Sequence, residues 1–365
     1  MTQKPLIFGL SGPTLSQEER KLFQENPVKG FILFKRNIVD SPQLTSLIKD
    51  LKSLYDYYKP LILIDQEGGR VARLKPPLIE KEYPASGSFG AIYDNNPEDA
   101  CAQVYKNYCS IMEDLKNYQI DSPCAPVADL RYPWADKVIG DRSFGSGVQK
   151  VVDLGSAAIR GIAAQGGIAI IKHMPGHGRA TCDSHYNLPV IDTPLLELQK
   201  TDFEVFRQLA THNQDAWAMT AHIKYTAIDP FLPVTLSAEA INFIRKDIGF
   251  KGVLITDDIC MHALHVPNCE TYFCAKQLLD LFEKEKTSDP QYNEILAKLI
   301  DDKLITENTD QLQQTQQLKA ALPQLKAIFT ASVAKAAYEA KAAGCDIVLH
   351  CSGDLQEMTA ICAVL

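Results

Sequence analysis

The chain has 365 residues, 46% hydrophobic and 22% charged, values of a globular protein with room for one large core or two smaller ones. A formal net charge of −8 gives no general attraction to phosphate backbones or anionic lipid, which argues against nucleic-acid and membrane-surface partners. No apolar run approaches the roughly 18 residues needed to span a bilayer.

Met1-Thr2-Gln3-Lys4-Pro5 leads straight into the apolar piece Leu6–Leu10. That piece is too short for a signal-peptide core and no small-residue cleavage site follows, so a cytoplasmic location is expected. The 10 cysteines contain no Cys-x-x-Cys pair, which fits reduced, mostly buried thiols.

Leu6–Leu10 reads as a first strand. Ser16-Gln17-Glu18-Glu19 is a capping-box pattern and starts a helix reaching about Asn26. Gly30–Phe34 is a second strand, and Ser41-Pro42 opens a helix through about Tyr57. Pro60–Ile64 is a third strand, ending in Asp65-Gln66-Glu67-Gly68-Gly69-Arg70. Val104, Tyr108, Ile111, Met112 and Leu115 follow helical spacing after Pro97. Pro123–Leu130 is expected as a fourth strand, made irregular by its prolines. Helices from about Gly147 to Ala164 and from about Pro194 to Thr211 precede strands at Gly167–Ile171 and Ala216–His222. Ser237 caps a helix to about Asp247, Gly252–Thr256 is the seventh strand, and Cys345–His350 is the eighth.

Eight apolar strands alternating with helices predict a parallel sheet covered by helices. The expected architecture is therefore α/β: one catalytic domain over 1–365, a TIM-type (β/α)8 barrel with an irregular or imperfectly closed wall. No Gly-x-Gly-x-x-Gly follows the first strand, so an open dinucleotide-binding sheet is the weaker alternative. Residues 266–340 break the rhythm and read as a helical insertion between the seventh and eighth strands. Ile295, Leu296, Leu299, Ile300 and Leu304 stand there at helical spacing, as solvated decoration or as a cover for the barrel mouth.

In a parallel barrel, chemistry sits at the C-terminal ends of the strands. Those ends supply Asp65 with Arg70 and Arg73, then Asp129, Lys172 and His173, His222, and Asp257 with Asp258. Any one of the aspartates could merely cap the next helix; so many polar ends on one face point to a polar, polyhydroxylated or anionic ligand. After the fifth strand comes Met174-Pro175-Gly176-His177-Gly178, followed by Asp183-Ser184-His185. Proline and glycine forbid a helix there, so the i, i+4 pair His173 and His177 is not a helical metal site. No metal and no cofactor are expected.

The segments Lys172–Gly178, Asp183-Ser184-His185 and Ile64–Leu74 resemble the signature segments of bacterial β-N-acetylglucosaminidases of glycoside hydrolase family 3. Arg245-Lys246-Asp247 with Gly252–Asp257, Gly140–Phe144 and Met219–His222 resemble further blocks of that family, in the family's order. The resemblance implies Asp257 as nucleophile, His185 as general acid/base and Asp183 as its partner. It implies that Asp65, Arg73, Arg142, Lys172 and His173 bind the terminal sugar and that His222 lines the pocket. Physical chemistry agrees with an ionised carboxylate on a rigid strand end and an imidazole that exchanges a proton near neutral pH. Lys172 is expected to keep Asp257 ionised, and Pro175, Gly176 and Gly178 to let the loop swing.

The implied activity is exo-acting, retaining hydrolysis of terminal β-linked N-acetylglucosamine from peptidoglycan fragments, as in cell-wall recycling. The expected partner is a small muropeptide or aminosugar, and the expected state a monomer or weak oligomer. Alternatives are a phosphorylase using the same His/Asp pair, a β-glucosidase and a non-hydrolytic sugar-binding barrel. A β-glucosidase of the family often takes its acid from a second domain, whereas Asp183-Ser184-His185 supplies one within the barrel.

Overall fold

The computed structural model describes residues 3–265, 269–284, 290–306 and 310–365. Parts of the expected first segment (1–2) and of the expected insertion (266–268, 285–289, 307–309) lie outside the described residues. β1 (Lys4–Gly9), β2 (Val28–Leu33) and β3 (Leu61–Ile64) alternate with α1 (Gln17–Glu25) and α2 (Ser41–Lys52). A small antiparallel ribbon, β4 (Gln66–Gly68) with β5 (Val71–Ala72), then leads to α3 (Ser86–Tyr93) and α4 (Pro97–Asn117). α5 (Val148–Ala164) feeds β6 (Ile170–Met174). β7 (Val190–Ile191), α6 (Leu195–Leu198) and α7 (Asp202–His212) precede β8 (Trp217–Thr220), β9 (Lys224–Tyr225) and α8 (Ala238–Lys246). β10 (Leu254–Asp258) is followed by α9 (Glu270–Glu283), α10 (Pro290–Asp301) and α11 (Gln311–Ala343). β11 (Ile347–His350) and α12 (Leu355–Val364) complete the order. Among the described residues no helix is long and apolar enough to cross a membrane.

Seven strands form one sheet in the order β3-β2-β1-β11-β10-β8-β6, every neighbour parallel. The two edges of this sheet are joined by the chain between Asp121 and Asp129. On one side the Ile64 and Gln66 amides donate to the Ser122 and Pro123 carbonyls, both at 3.0 Å. On the other, the Lys172 amide donates to Pro126 (3.0 Å) and the Ala128 amide to Lys172 (2.7 Å). This is the expected fourth strand, but it makes only isolated bridges. Pro123 and Pro126 have no N–H to give a ladder, and Cys124 holds a positive φ of 47°.

Alternation along the strands separates two apolar layers. Leu6 and Phe8 of β1 face the helices. Ile7, Ile32, Leu63, Cys124, Ile170, Met219, Ile255 and Leu349 pack together as an inner plug, with one residue from each wall of the barrel. The open end of the barrel therefore lies above a packed apolar layer. Strand registers differ from the expected ones in one consequential way. β6 and β10 run later than the apolar runs alone suggest, so Lys172, His173 and Asp257 lie within strands rather than after them.

Local signals account for the helices. Ser16 Oγ accepts the Glu19 amide (3.0 Å) and Glu19 Oε2 accepts the Ser16 amide (2.9 Å), the expected capping box. Asp40, not Ser41, caps α2. The expected helix from Pro194 to Thr211 is two helices, broken so that Asp202 can meet Arg179 in a buried pair at 2.7 Å.

The insertion is helical, with a small core of its own formed by Ala275, Leu278, Leu281, Ile295, Leu299 and Leu318. Its expected end near 340 is too late. Phe329, Val333, Ala337 and Ala340 of α11 belong to the main barrel core, so one helix serves both bodies.

Candidate functional site

A cavity of about 290 Å3 opens at the C-terminal ends of the strands, and most of the expected site residues line it. Its floor is a charge network. Lys172, 3% exposed, reaches Glu67 at 2.6 Å and Asp65 at 3.2 Å. Arg142 grips Glu67 with two bonds, Nε at 2.8 Å and Nη2 at 2.9 Å. Arg73 meets Asp65 at 2.9 Å. Burial would raise the carboxyl pKa of Glu67, but Arg142 and then Lys172 outweigh it and hold the group well below the ordinary carboxylate range. Asp65 is likewise lowered, by Lys172 and Arg73 against its burial. Sequence reasoning missed Glu67. Its only signal was a second carboxylate two residues after Asp65, where the β4–β5 ribbon folds back over the barrel mouth.

A second chain of contacts runs to Asp257. Asp129 is fully buried and accepts from the amides of His173 (3.2 Å) and His177 (2.7 Å). It also holds His173 Nδ1 at 2.7 Å. The opposite ring nitrogen of His173 lies 4.0 Å from Asp257 Oδ2. Burial works against ionisation of Asp257, yet His173, then His222, then the Asp258 amide at 2.8 Å bring its pKa down to about 2. Lys172 does not perform the service expected of it; it is engaged by Asp65 and Glu67, and the neighbour acting on Asp257 is His173.

His185 and Asp183 stand on the loop after β6. Asp183 Oδ1 accepts the His185 amide at 2.9 Å and contacts His185 Nδ1 at 2.7 Å. An ionised carboxylate only accepts, so Nδ1 carries the proton and Nε2 is the nitrogen left to exchange one. Burial opposes the charge on Asp183, but the amide and ring of His185 lower its pKa overall. The His185 side chain is 58% exposed at the rim of the cavity.

One expectation about this loop is corrected. Residues from Pro175 to Ala180 are all buried. A Cβ on Gly178 would lie 1.9 Å from the Leu130 carbonyl oxygen, and one on Gly176 would crowd Asp202 and Tyr225. These glycines serve close packing, not a hinge; the exposed residues of the loop are Thr181 and the run His185, Tyr186 and Asn187.

His222 is also corrected. It is fully buried and both ring nitrogens are engaged, Nδ1 with Thr235 Oγ1 (2.7 Å) and Nε2 with the Asp258 carbonyl (2.9 Å). It does not line the cavity; it props the end of β10. Asp258 is structural too, its Oδ1 accepting the Cys260 (3.0 Å) and Cys351 (2.9 Å) amides. Arg70 pairs with Asp141 at 3.0 Å rather than with Glu67 or Asp65.

For metal ligation, His173 is committed to Asp129, and His177 Nε2 to Ser184 Oγ at 3.0 Å. Cys260, His350 and Glu357 come within 4.8 Å of one another below β11. Lys326 already sits on one oxygen of Glu357, and His350 (2.8 Å) and Ser352 (2.6 Å) on the other. An ammonium there fills the place a cation would take. All ten cysteines are free thiols.

Residues 6–308 match the model of the glycosyl hydrolase family 3 N-terminal domain. A β-hexosaminidase of Alkalilimnicola ehrlichii is 38% identical over 262 residues, 71% of this chain and 73% of the relative. One of Actinobacillus succinogenes is 36% identical, over 70% and 72% of the two chains. Among solved structures, NagZ of Neisseria gonorrhoeae in complex with N-trifluoroacetyl-D-glucosamine superposes with a TM-score of 0.74 at 26% identity, over 99% of this chain and 85% of that one. A family 3 β-N-acetylglucosaminidase of a Paenibacillus species gives 0.66 at 27% identity, over 92% and 67%.

Proposed function

This chain belongs to glycosyl hydrolase family 3, and from that premise we propose that it is an exo-acting, retaining β-N-acetylglucosaminidase that removes terminal N-acetylglucosamine from peptidoglycan fragments. The natural substrate proposed is N-acetylglucosamine β-1,4-linked to anhydro-N-acetylmuramic acid, with or without peptide, met in the cytoplasm. The observation that carries the proposal is that Asp257 and the Asp183–His185 pair line one sugar-sized cavity.

The chemistry follows from that arrangement. Asp257, ionised because its pKa is held near 2, attacks the anomeric carbon as the glycosidic C–O bond breaks. His185 Nε2–H gives its proton to the departing oxygen, and Asp183 steadies the ring. Water then attacks the glycosyl–Asp257 ester, His185 takes a proton from it, and the Asp257 carboxylate is released. Asp65, Arg73, Arg142 and Lys172 offer charged hydrogen-bonding groups to the sugar hydroxyls and the acetamido group. His173, fixed by Asp129, sets the electrostatics of the nucleophile.

The test is turnover of an aryl N-acetylglucosaminide by the wild type and by Asp257→Ala, with sugar 1-phosphate measured in phosphate buffer. Loss of turnover in the variant, with free N-acetylglucosamine as product, supports the hydrolase. Near-wild-type turnover in the variant overturns it, and sugar 1-phosphate as the main product replaces it with a phosphorylase.

A further inference from the structure

Behind the His185 loop lies a second cavity, about 760 Å3 against about 290 Å3 for the sugar pocket. Two chain segments form the partition between them. Ser184 and His185 face the sugar pocket, whereas the next two residues, Tyr186 and Asn187, line the groove. Met261 faces the pocket and His262 the groove. The Ala263 amide donates to the Ser184 carbonyl at 3.3 Å and ties the two segments together. The far wall is the insertion, α9 and α10.

The groove has an aromatic wall. His262 stacks on Phe273 with centroids 3.3 Å apart and planes 21° from parallel. Tyr186, 65% exposed, stands edge-on to His262 at 6.0 Å. Such rigid rings offer a large contact area at small entropic cost. The groove is also acidic: Glu270, Glu294 and Asp301 against one ammonium, Lys298, which is paired with Glu270. His262 does not offset this, because burial and then His265 and Lys276 lower its pKa to about 4 and leave it neutral.

We propose that this groove is the leaving-group subsite and that it selects leaving groups carrying a primary ammonium. The inference rests on His185 being the acid. A proton given by His185 goes to the glycosidic oxygen, so the leaving group extends past the His185 loop, away from the sugar pocket. The groove is the cavity that shares this loop as a wall. The ammonium has two sources, a de-N-acetylated hexosamine or the side-chain amine of a diamino acid in an attached peptide.

The experiment compares kcat/KM of the full chain on an aryl N-acetylglucosaminide, N,N′-diacetylchitobiose and N-acetylglucosaminyl-glucosamine. A fourth substrate carries anhydromuramic acid with a lysine-containing peptide. Glu294 and Asp301 are exposed and Glu294→Gln/Asp301→Asn leaves the fold intact. The double variant is expected to hold the aryl value within about twofold and to lose about tenfold on one or both ammonium-bearing substrates relative to diacetylchitobiose. Which one loses identifies the source. No selective loss on either ammonium-bearing substrate relative to diacetylchitobiose, or a uniform loss across all four substrates, overturns the groove assignment alone. Failure of the wild type to cleave the aryl glycoside overturns the glycosidase proposal, and this inference with it.

Discussion

Glu67→Gln removes one negative charge and almost no volume from the floor of the site. In the wild type, Glu67 is 3% exposed and is the carboxylate that Arg142 grips; Lys172, equally buried, shares itself between Glu67 and Asp65. Those five groups, Asp65, Glu67, Arg73, Arg142 and Lys172, carry three positive charges and two negative. The variant leaves three against one, with Arg142 uncompensated. Breaking a buried pair by removing one partner costs about 3–5 kcal/mol. The amide oxygen keeps one acceptor, so the lower end, about 3 kcal/mol, is expected. Linkage fixes the pH dependence. The folded pKa of Glu67 lies below its unfolded value of roughly 4.3, so its contribution is complete above that value and fades as pH falls through the acid range. The difference between wild type and variant in urea unfolding at pH 7 is therefore about 3 kcal/mol and shrinks toward pH 3. A loss below about 1 kcal/mol at pH 7, or a difference that grows on acidification, refutes the reasoning.

His185→Ala is expected to lower kcat/KM about 10²- to 10⁴-fold on glycosides with poor leaving groups. The loss is much smaller with dinitrophenyl leaving groups, which depart without a proton; equal losses on both would deny His185 the role of acid. Asp183→Asn, which removes the charge that steadies the imidazolium, is expected to reduce the same rates less than His185→Ala does, measured by the same steady-state assay. His222→Ala takes one partner from the Thr235 hydroxyl, which keeps Thr220 and Ala221, and one from the Asp258 carbonyl, which keeps the Met261 amide; the expected cost in urea unfolding is about 1 kcal/mol, with kcat falling more than KM rises. A large rise in KM alone would return His222 to the sugar pocket.

Much of the barrel is legible because short apolar runs that end in charged residues say both where a strand lies and which end carries chemistry. Asp257, Lys172 and His173 were found that way, and they line one cavity with Asp183 and His185, which come from a loop some seventy residues before Asp257. Four things were hidden. The wall at Ser122–Asp129 looks like a strand in composition, but its prolines deprive it of a ladder, and only its neighbours' hydrogen bonds reveal its place. Glu67 acts through partners distant in sequence, and so does Asp129, which reads as a polar strand end with nothing local to show that it holds His173. His222 ends a strand as the others do, yet the polar end alone does not tell a side chain turned into the mouth from one turned into the wall. Helical periodicity likewise ran through α11 without a break, so the point where it passes from the insertion's core to the barrel's was not visible.

The most direct test is incubation with 5-fluoro-N-acetylglucosaminyl fluoride, which slows breakdown of a glycosyl ester, followed by proteolysis and mass mapping of the adduct. A single sugar adduct on Asp257, absent from Asp257→Ala and released slowly as the β-fluorosugar, is the predicted result. An adduct on another carboxylate, or steady turnover with inversion at the anomeric carbon, contradicts the account.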